Sequence, residues 1–422
     1  MRRSAPKLDS DRPAGDAERQ RRFALLAWAF VLSGGATVFL GPLVPELRQA
    51  WDAGSGQIGW LFTAQFATSA LGSLLSTYHL RRSLIGGYAA MGLGLLWMSQ
   101  ADFASAVLAV GLIGFGLGTA LPATNLLIAA DFPERRGAAL AKLNLYWGLG
   151  AAGFPLLLAQ ISPYLPLRSA LAGLGLLCLL TVPLLVGSAM PRRLDGKENP
   201  ESAGGGTNLK AFLPFTALLF LYVGTEVTFG GWLVSLASTT VDQPRFALWI
   251  GAAFWIALLV GRAVAVLLLR HWTEHRLYLT SLASAFAGTL LLLFFPVPAG
   301  VLLGACLGGF GLAPLYPLTI SLLTRRSDRL GDSRTGWVFI GSGLGGALLP
   351  WMAGQIQETS GRAEAGFLVA AVGLVLIVSI YLMLREVRHR TAGDLGTGSA
   401  GAISTKEPTS RKPAAKEIVH EI

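Results

Sequence analysis

The chain has 422 residues, of which 53% are hydrophobic and only 14% charged, and its mean hydropathy is +0.55. Soluble domains carry about 25% charged residues, so polar side chains are too few here to cover soluble surfaces, and disorder, collagen, a disulfide-rich secreted fold and a coiled coil are excluded by the same figures. The formal charge of +10 would point to nucleic acid only if the basic residues clustered on one polar face.

A bilayer core takes about 20 apolar residues per helix. The polar, mixed-charge segment Met1–Arg22 reads as a tail before the first such stretch. Twelve spans follow: Phe23–Leu43, Gln57–Tyr78, Ser83–Ser99, Phe103–Ala130, Ala138–Ile161 and Ala170–Met190 in a first half, then Ala211–Ser238, Phe246–Arg270, Leu277–Phe295, Ala299–Thr324, Thr335–Ile356 and Ala363–Leu384 in a second. No A-x-A site closes the first span, which is therefore expected to stay uncleaved. Residues 191–210, with Gly204–Gly206, read as a linker between six-helix bundles at 23–190 and 211–388. Residues 389–422 read as a polar, disordered tail. The fold expected is an all-α polytopic membrane protein.

The basic residues decide the orientation. With both termini placed in the cytoplasm, 29 of the 34 Lys and Arg residues fall on the inner side, and Arg48, Arg168, Arg245 and Arg362 alone fall outside. That asymmetry is the positive-inside rule. The surplus charge records topology in a plasma or inner membrane beside anionic lipid and needs no nucleic acid partner. Cys178 and Cys306 fall inside spans in different halves, where small buried hydrophobes are expected and a disulfide is not.

The halves also repeat. Gly148, Gly150, Pro155, Gln160 and Ile161 recur 195 residues later as Gly343, Gly345, Pro350, Gln355 and Ile356, and Gly114, Gly116 and Pro122 recur as Gly309, Gly311 and Pro317. Gly72 and Arg81 pair with Gly261 and Arg270 at an offset of 189. Repeats six spans apart run in the same direction across the membrane, so the pattern implies parallel six-helix repeats, the organisation of major facilitator transporters. The glycines themselves imply close helix packing.

On these residues the chain resembles a major facilitator superfamily transporter over about residues 22–388. The run from Gly116 to Pro155, with Asn125, Arg136-Gly137, Leu143-Asn144 and Gly148-Leu149-Gly150, together with Tyr222–Glu226 and Gly230-Gly231-Trp232, is similar to the fucose permease and sodium-dependent glucose transporter branch. The sequence departs from that branch in places: Ser76 stands where an Asp is expected, and spans one and four carry no acid, with Leu121 near the span-four position.

An ionisable group inside a membrane is costly and by default a functional candidate. Of 24 Asp and Glu residues, Glu226 alone lies well within a span, near its middle. Access to water from alternate sides would change how readily such a carboxylate holds a proton, and the same group could accept hydrogen bonds from sugar hydroxyls or help ligate Na⁺. Glu226 is thus the expected coupling residue and a solute ligand. Arg262, the one basic residue inside a span, lies about two turns from its cytoplasmic end and is expected at a gate with Arg81 and Arg82; a Glu226–Arg262 pair is not expected, because their depths differ. Tyr222, Glu226, Phe229 and Gly230 share one helical face by i, i+3 and i+4 spacing. Gln65, Asn125, Asn144, Trp147, Trp255 and Tyr316 supply further polar or amphipathic groups for a solute with hydroxyls and flat C–H faces. Asn125 and Asn144 also match the branch pattern, whereas Gln160 and Gln355 near helix ends read as scaffold.

There is no G-x4-G-K-[ST] sequence and no soluble βαβ context for a dinucleotide. No catalytic constellation or metal-ligand cluster emerges, and no cofactor is expected beyond a coupling ion, H⁺ or Na⁺. The function expected is secondary transport of a small polar solute, a sugar, by a monomer in the lipid bilayer. The alternatives are a proton-coupled efflux pump for hydrophobic compounds and a non-transporting membrane sensor.

Overall fold

A computed structural model describes residues 15–76, 79–188, 212–324 and 333–399. The linker expected over 191–210, the first 14 residues and 400–422 lie outside these. Every regular element among the described residues is helical: α1 (Asp16–Val38), α2 (Leu40–Trp51), α3 (Ser55–Leu75), α4 (Leu80–Met98), α5 (Phe103–Asp131), α6 (Arg136–Ile161), α7 (Leu167–Gly187), α8 (Leu213–Ala237), α9 (Pro244–Leu268), α10 (Glu274–Phe294), α11 (Pro298–Leu312), α12 (Leu315–Thr324), α13 (Ser333–Ser360) and α14 (Phe367–Ser399), with short 3₁₀ turns before α6 and α14. Eight helical stretches are long and apolar enough to cross a membrane, and the bent pair α1–α2 makes a ninth. Glycines and basic or polar side chains lower the hydropathy of α4, α6 and α13, which complete the twelve spans.

Several boundaries move. The tail expected to end at Arg22 is helical from Asp16. The first span is two helices meeting at 41°, and the tenth is α11 followed by α12. Residues 389–399, expected as disordered tail, continue α14. Residues 1–378 form one compact unit and 379–422 a second.

The end where α1 begins is here the basal end, and the other the distal end. Within the first half α1 packs on α6, and α4 lies between α5 and α7; within the second α8 packs on α13, and α11 on α9 and α10. The halves meet along α3–α13, α6–α9 and α2–α8. Glycine makes these approaches possible. A Cβ at Gly150 would collide with the Val31 carbonyl and one at Gly345 with the Phe220 carbonyl. Val31 and Phe220 are themselves 189 residues apart, so the same contact is made once in each half. Gly114 against Gln65 repeats as Gly309 against Phe254, and Gly72 against Phe115 repeats as Gly261 against Phe310. The sequence repeat is thus a repeat of backbone contacts. Small residues that admit such contacts are what holds helices together in lipid, where burial of apolar surface drives little.

Polar ties finish the helix ends. At the distal end the Gly56 amide of α3 donates to Glu358 Oε2 of α13 at 2.5 Å, and Gln355 Nε2 donates to the Gly56 carbonyl at 3.3 Å. Asp102 caps α5, accepting from the Ser105 hydroxyl and amide; these bonds, the hydroxyl's first, hold its carboxyl below the usual carboxylate range. At the basal end Arg22 of α1 makes a two-pronged bond to Asp131 of α5, Nε to Oδ2 at 2.6 Å and Nη2 to Oδ1 at 2.8 Å. Both side chains are 5% exposed. Phe23 beside them meets Phe132 edge-on, and the Lys142 ammonium lies over its ring.

Two stability measurements follow. Arg22→Ala or Asp131→Ala breaks this buried two-pronged bond and is expected to cost about 3–5 kcal/mol, read as a lower Tm in detergent. Gly150→Val is expected to abolish the monodisperse elution peak, because it meets backbone, whereas Gly153→Val on the same helix, where a Cβ meets open space, is expected to keep it.

Candidate solute site between the halves

A cavity of about 310 Å³ lies between the halves. Both contribute walls: Asn125 from α5 and Asn144 and Trp147 from α6 on one side, and Tyr222 and Glu226 from α8, Trp255 and Arg262 from α9 and Tyr316 from α12 on the other. The junction of α1 and α2 closes part of it with Thr37, Val38, Leu40 and Gly41, and α3 adds Phe62 and Phe66.

The placement follows from helix geometry. Tyr222, Glu226 and Gly230 are spaced by four on α8 and therefore share a face, and that face is the cavity wall. Arg262 Nη2 lies 4.0 Å from Glu226 Oε1, with the side chains 24% and 12% exposed. Residue order does not predict this pair, because the two residues differ in depth. An arginine reaches several ångströms along its helix, so a difference in Cα depth does not separate the charges. The Arg262 guanidinium also lies over the Trp147 ring, 5.8 Å from its centroid, across the gap between halves. Arg262 therefore has one partner in its own half and one in the other. At 4.0 Å the ion pair leaves both groups free to accept or donate further hydrogen bonds. The polar groups near the Glu226 carboxyl include Arg262 and the buried hydroxyls of Tyr222 and Tyr316.

Aromatic rings frame the polar groups. Trp147 and Trp255 meet edge-on at 6.0 Å, one from each half, and Tyr222 lies 5.6 Å from Tyr316. Asn125 and Asn144 each donate Nδ2 to a carbonyl four residues back on their own helix, at 3.0 and 2.9 Å. Such a bond orients the amide and leaves its oxygen as an acceptor.

The structure thus brings together Glu226, Asn125, Asn144, Trp147, Tyr222, Trp255 and Tyr316. It moves the other expected residues elsewhere. Phe229 is buried against Phe254, stacked at 5.5 Å and 13°, and against Phe367; a spacing of three from Glu226 turns it off the cavity wall. Gln65 is 1% exposed and bonds to the backbone of α1 instead of facing the cavity. Arg81 donates to the Val186 carbonyl at the end of α7 in its own half at 2.6 Å, and Arg82 is exposed beside it. Arg262, expected as a gate, lines the cavity. The sequence reading missed Thr37 and Gly41; the proline pair Pro42 and Pro45, which bends the first span there, was the available signal.

A sequence profile described as Major Facilitator Superfamily matches residues 26–241. The chain is 22% identical over 389 residues to the glucose/mannose transporter GlcP of Bacillus subtilis (strain 168), covering 86% of this chain and 95% of that protein. It is 24% identical over 362 residues to sodium-dependent glucose transporter 1 of Xenopus laevis, covering 76% and 73%. Among solved structures it superposes on a D-xylose-proton symporter with a TM-score of 0.70 at 13% identity, covering 86% of this chain and 96% of that one. On the E. coli fucose:proton symporter FucP the TM-score is 0.60 at 19% identity, covering 86% and 98%. With twelve spans in two repeated halves around a central cavity, the chain belongs to the Major Facilitator Superfamily and is a multi-pass membrane transporter.

Proposed function

We propose that the protein carries a sugar inward by alternating access, coupled to a proton through Glu226. The single observation that carries this reading is the Glu226–Arg262 pair at 4.0 Å on the wall of a cavity between the halves. The pair is neutral overall and incompletely satisfied, so it favours a neutral solute whose hydroxyls accept from the guanidinium and donate to the carboxylate. Trp147 and Trp255 offer flat faces for C–H surfaces, and Asn125 and Asn144 offer acceptors. The volume is at the small end for ligand pockets, which favours one sugar ring over a large hydrophobic compound. The relatives named as sugar transporters support the same class.

The guanidinium also argues for the ion. It would repel Na⁺ at the carboxylate, whereas a proton on Glu226 would release it to Trp147 of the other half. In this reading protonation of one carboxyl changes a contact between halves, and rocking of the halves changes which side supplies the proton. The basic residues Arg81, Arg82, Arg135, Arg136 and Lys142 at the basal end, against Arg48, Arg168, Arg245 and Arg362 at the distal end, support a plasma or inner membrane with the basal end, and with it both termini, on the cytoplasmic side. The unit is a monomer whose partners are the solute and lipid.

Proteoliposomes test this with a panel of hexoses and pentoses, a nucleoside control and imposed H⁺ or Na⁺ gradients. The wild type is expected to accumulate at least one sugar when the outside is acid. Glu226→Gln is expected to keep sugar exchange at equal concentrations and lose uphill accumulation; accumulation that survives the substitution contradicts the assignment. Trp147→Ala is expected to raise KM roughly tenfold or more, equivalent to about 1.4 kcal/mol, and loss of solute selectivity should accompany it in the same uptake assay.

A further inference from the structure

The bend in the first span is one place where the two halves stop being copies. Pro42 has no N–H to return to the Val38 carbonyl, and Pro45 has none for Gly41. The helix turns by 41° between α1 and α2. At the corresponding positions of the second half, 189 residues on, stand Gly231 and Val234, and α8 runs unbroken from Leu213 to Ala237. Carbonyls loosened at a bend inside a membrane are held by donors from neighbouring helices or from a polar cavity. Gln65 of α3 supplies one to the two carbonyls immediately before Val38. Its Nε2 donates to the Ala36 carbonyl at 3.2 Å and to the Thr37 carbonyl at 3.0 Å, and its Oε1 is buried with no hydrogen-bond partner. The residue corresponding to Gln65 is Phe254, apolar and stacked on Phe229 beside an unbroken helix. The amide is present beside the first span, which is bent, and absent beside α8, the corresponding span, which is not.

The bend matters because its two arms belong to different contacts. α1 packs on α6 of its own half, whereas α2 packs on α8 of the other. Gly41 lies so close to the Gly230 carbonyl that a Cβ could not fit between them. Thr37, Val38, Leu40 and Gly41 line the cavity at the same point. The angle at Phe39 therefore sets a cavity wall and the distal seam together.

We propose that Gln65 is a positioning residue for transport: by holding the Ala36 and Thr37 carbonyls it fixes the bend, and so fixes how α2 meets α8. It does not touch the solute. The proposal stands apart from the identity of solute and ion, and its test needs neither.

The test uses the full-length protein in nanodiscs on a Cys178→Ala, Cys306→Ala background, with spin-label distances measured by pulsed resonance. One pair, Gln49→Cys and Thr239→Cys, reports α2 against the end of α8. The other, Gln57→Cys and Thr359→Cys, reports α3 against α13. All four positions are exposed. Gln65→Met, similar in size but without donors, is expected to shift the first pair to longer, broader distances and leave the second unchanged. Gln65→Glu is expected to do the same at high pH, where its charge is repelled by the carbonyls, and to recover as pH falls and its carboxyl regains one O–H donor. The proposal is overturned if the first pair is unmoved in Gln65→Met, if both pairs broaden together, if the first pair in Gln65→Glu ignores pH, or if neither variant folds.

Discussion

A charge carried into hydrocarbon must be met by another polar group or by water. In this chain that constraint falls on Glu226. Its carboxyl sits in the middle of α8 and is met by Arg262 from the adjacent helix. Neither group could face lipid, so the two helices turn these faces toward the opposite half and a cavity separates them from it. The cavity in turn requires that the halves touch elsewhere, along α3–α13, α6–α9 and α2–α8.

The repeat explains where the cavity lies and the departures from it explain what the cavity does. Gly41 corresponds to Gly230 and Thr37 to Glu226 at the offset of 189, while Leu121 corresponds to Tyr316 at 195. All six line the cavity, as do Phe66 and its counterpart Trp255. A site on the axis that relates two repeats is built from equivalent positions of both. Yet the carboxylate and the guanidinium come from the second half alone, facing Thr37 and aromatic or amide groups from the first. The first half instead carries the bent first span and its amide brace.

Much of this was legible in residue order. Hydropathy gives twelve spans, and fixed-offset glycines give the two halves, because close backbone contact tolerates no other residue and so marks the sequence directly. Glu226 was legible because acids are so rare in the spans. Its partner was not: Cα depth on separate helices does not account for the reach of Arg262. Phe229 was misplaced for a related reason, since a spacing of three on a helix identifies neighbours but not which of them a third helix covers. The Arg22–Asp131 pair was hidden because each residue lies at the edge of an apolar stretch, where sequence reads a solvated end and the structure has a buried one. Gln65 reads as a solute ligand by composition; only the position of the bend shows that its amide serves the backbone.

The central claim is that solute binds between the halves against Glu226, Arg262 and the tryptophan pair. A cryo-electron microscopy map of the protein with a transported sugar tests it most directly. Ring density is expected in the central cavity, within hydrogen-bonding distance of the Glu226 carboxyl and the Arg262 guanidinium and against Trp147 or Trp255. Density lodged elsewhere, with an unchanged and empty space at Glu226, would contradict it.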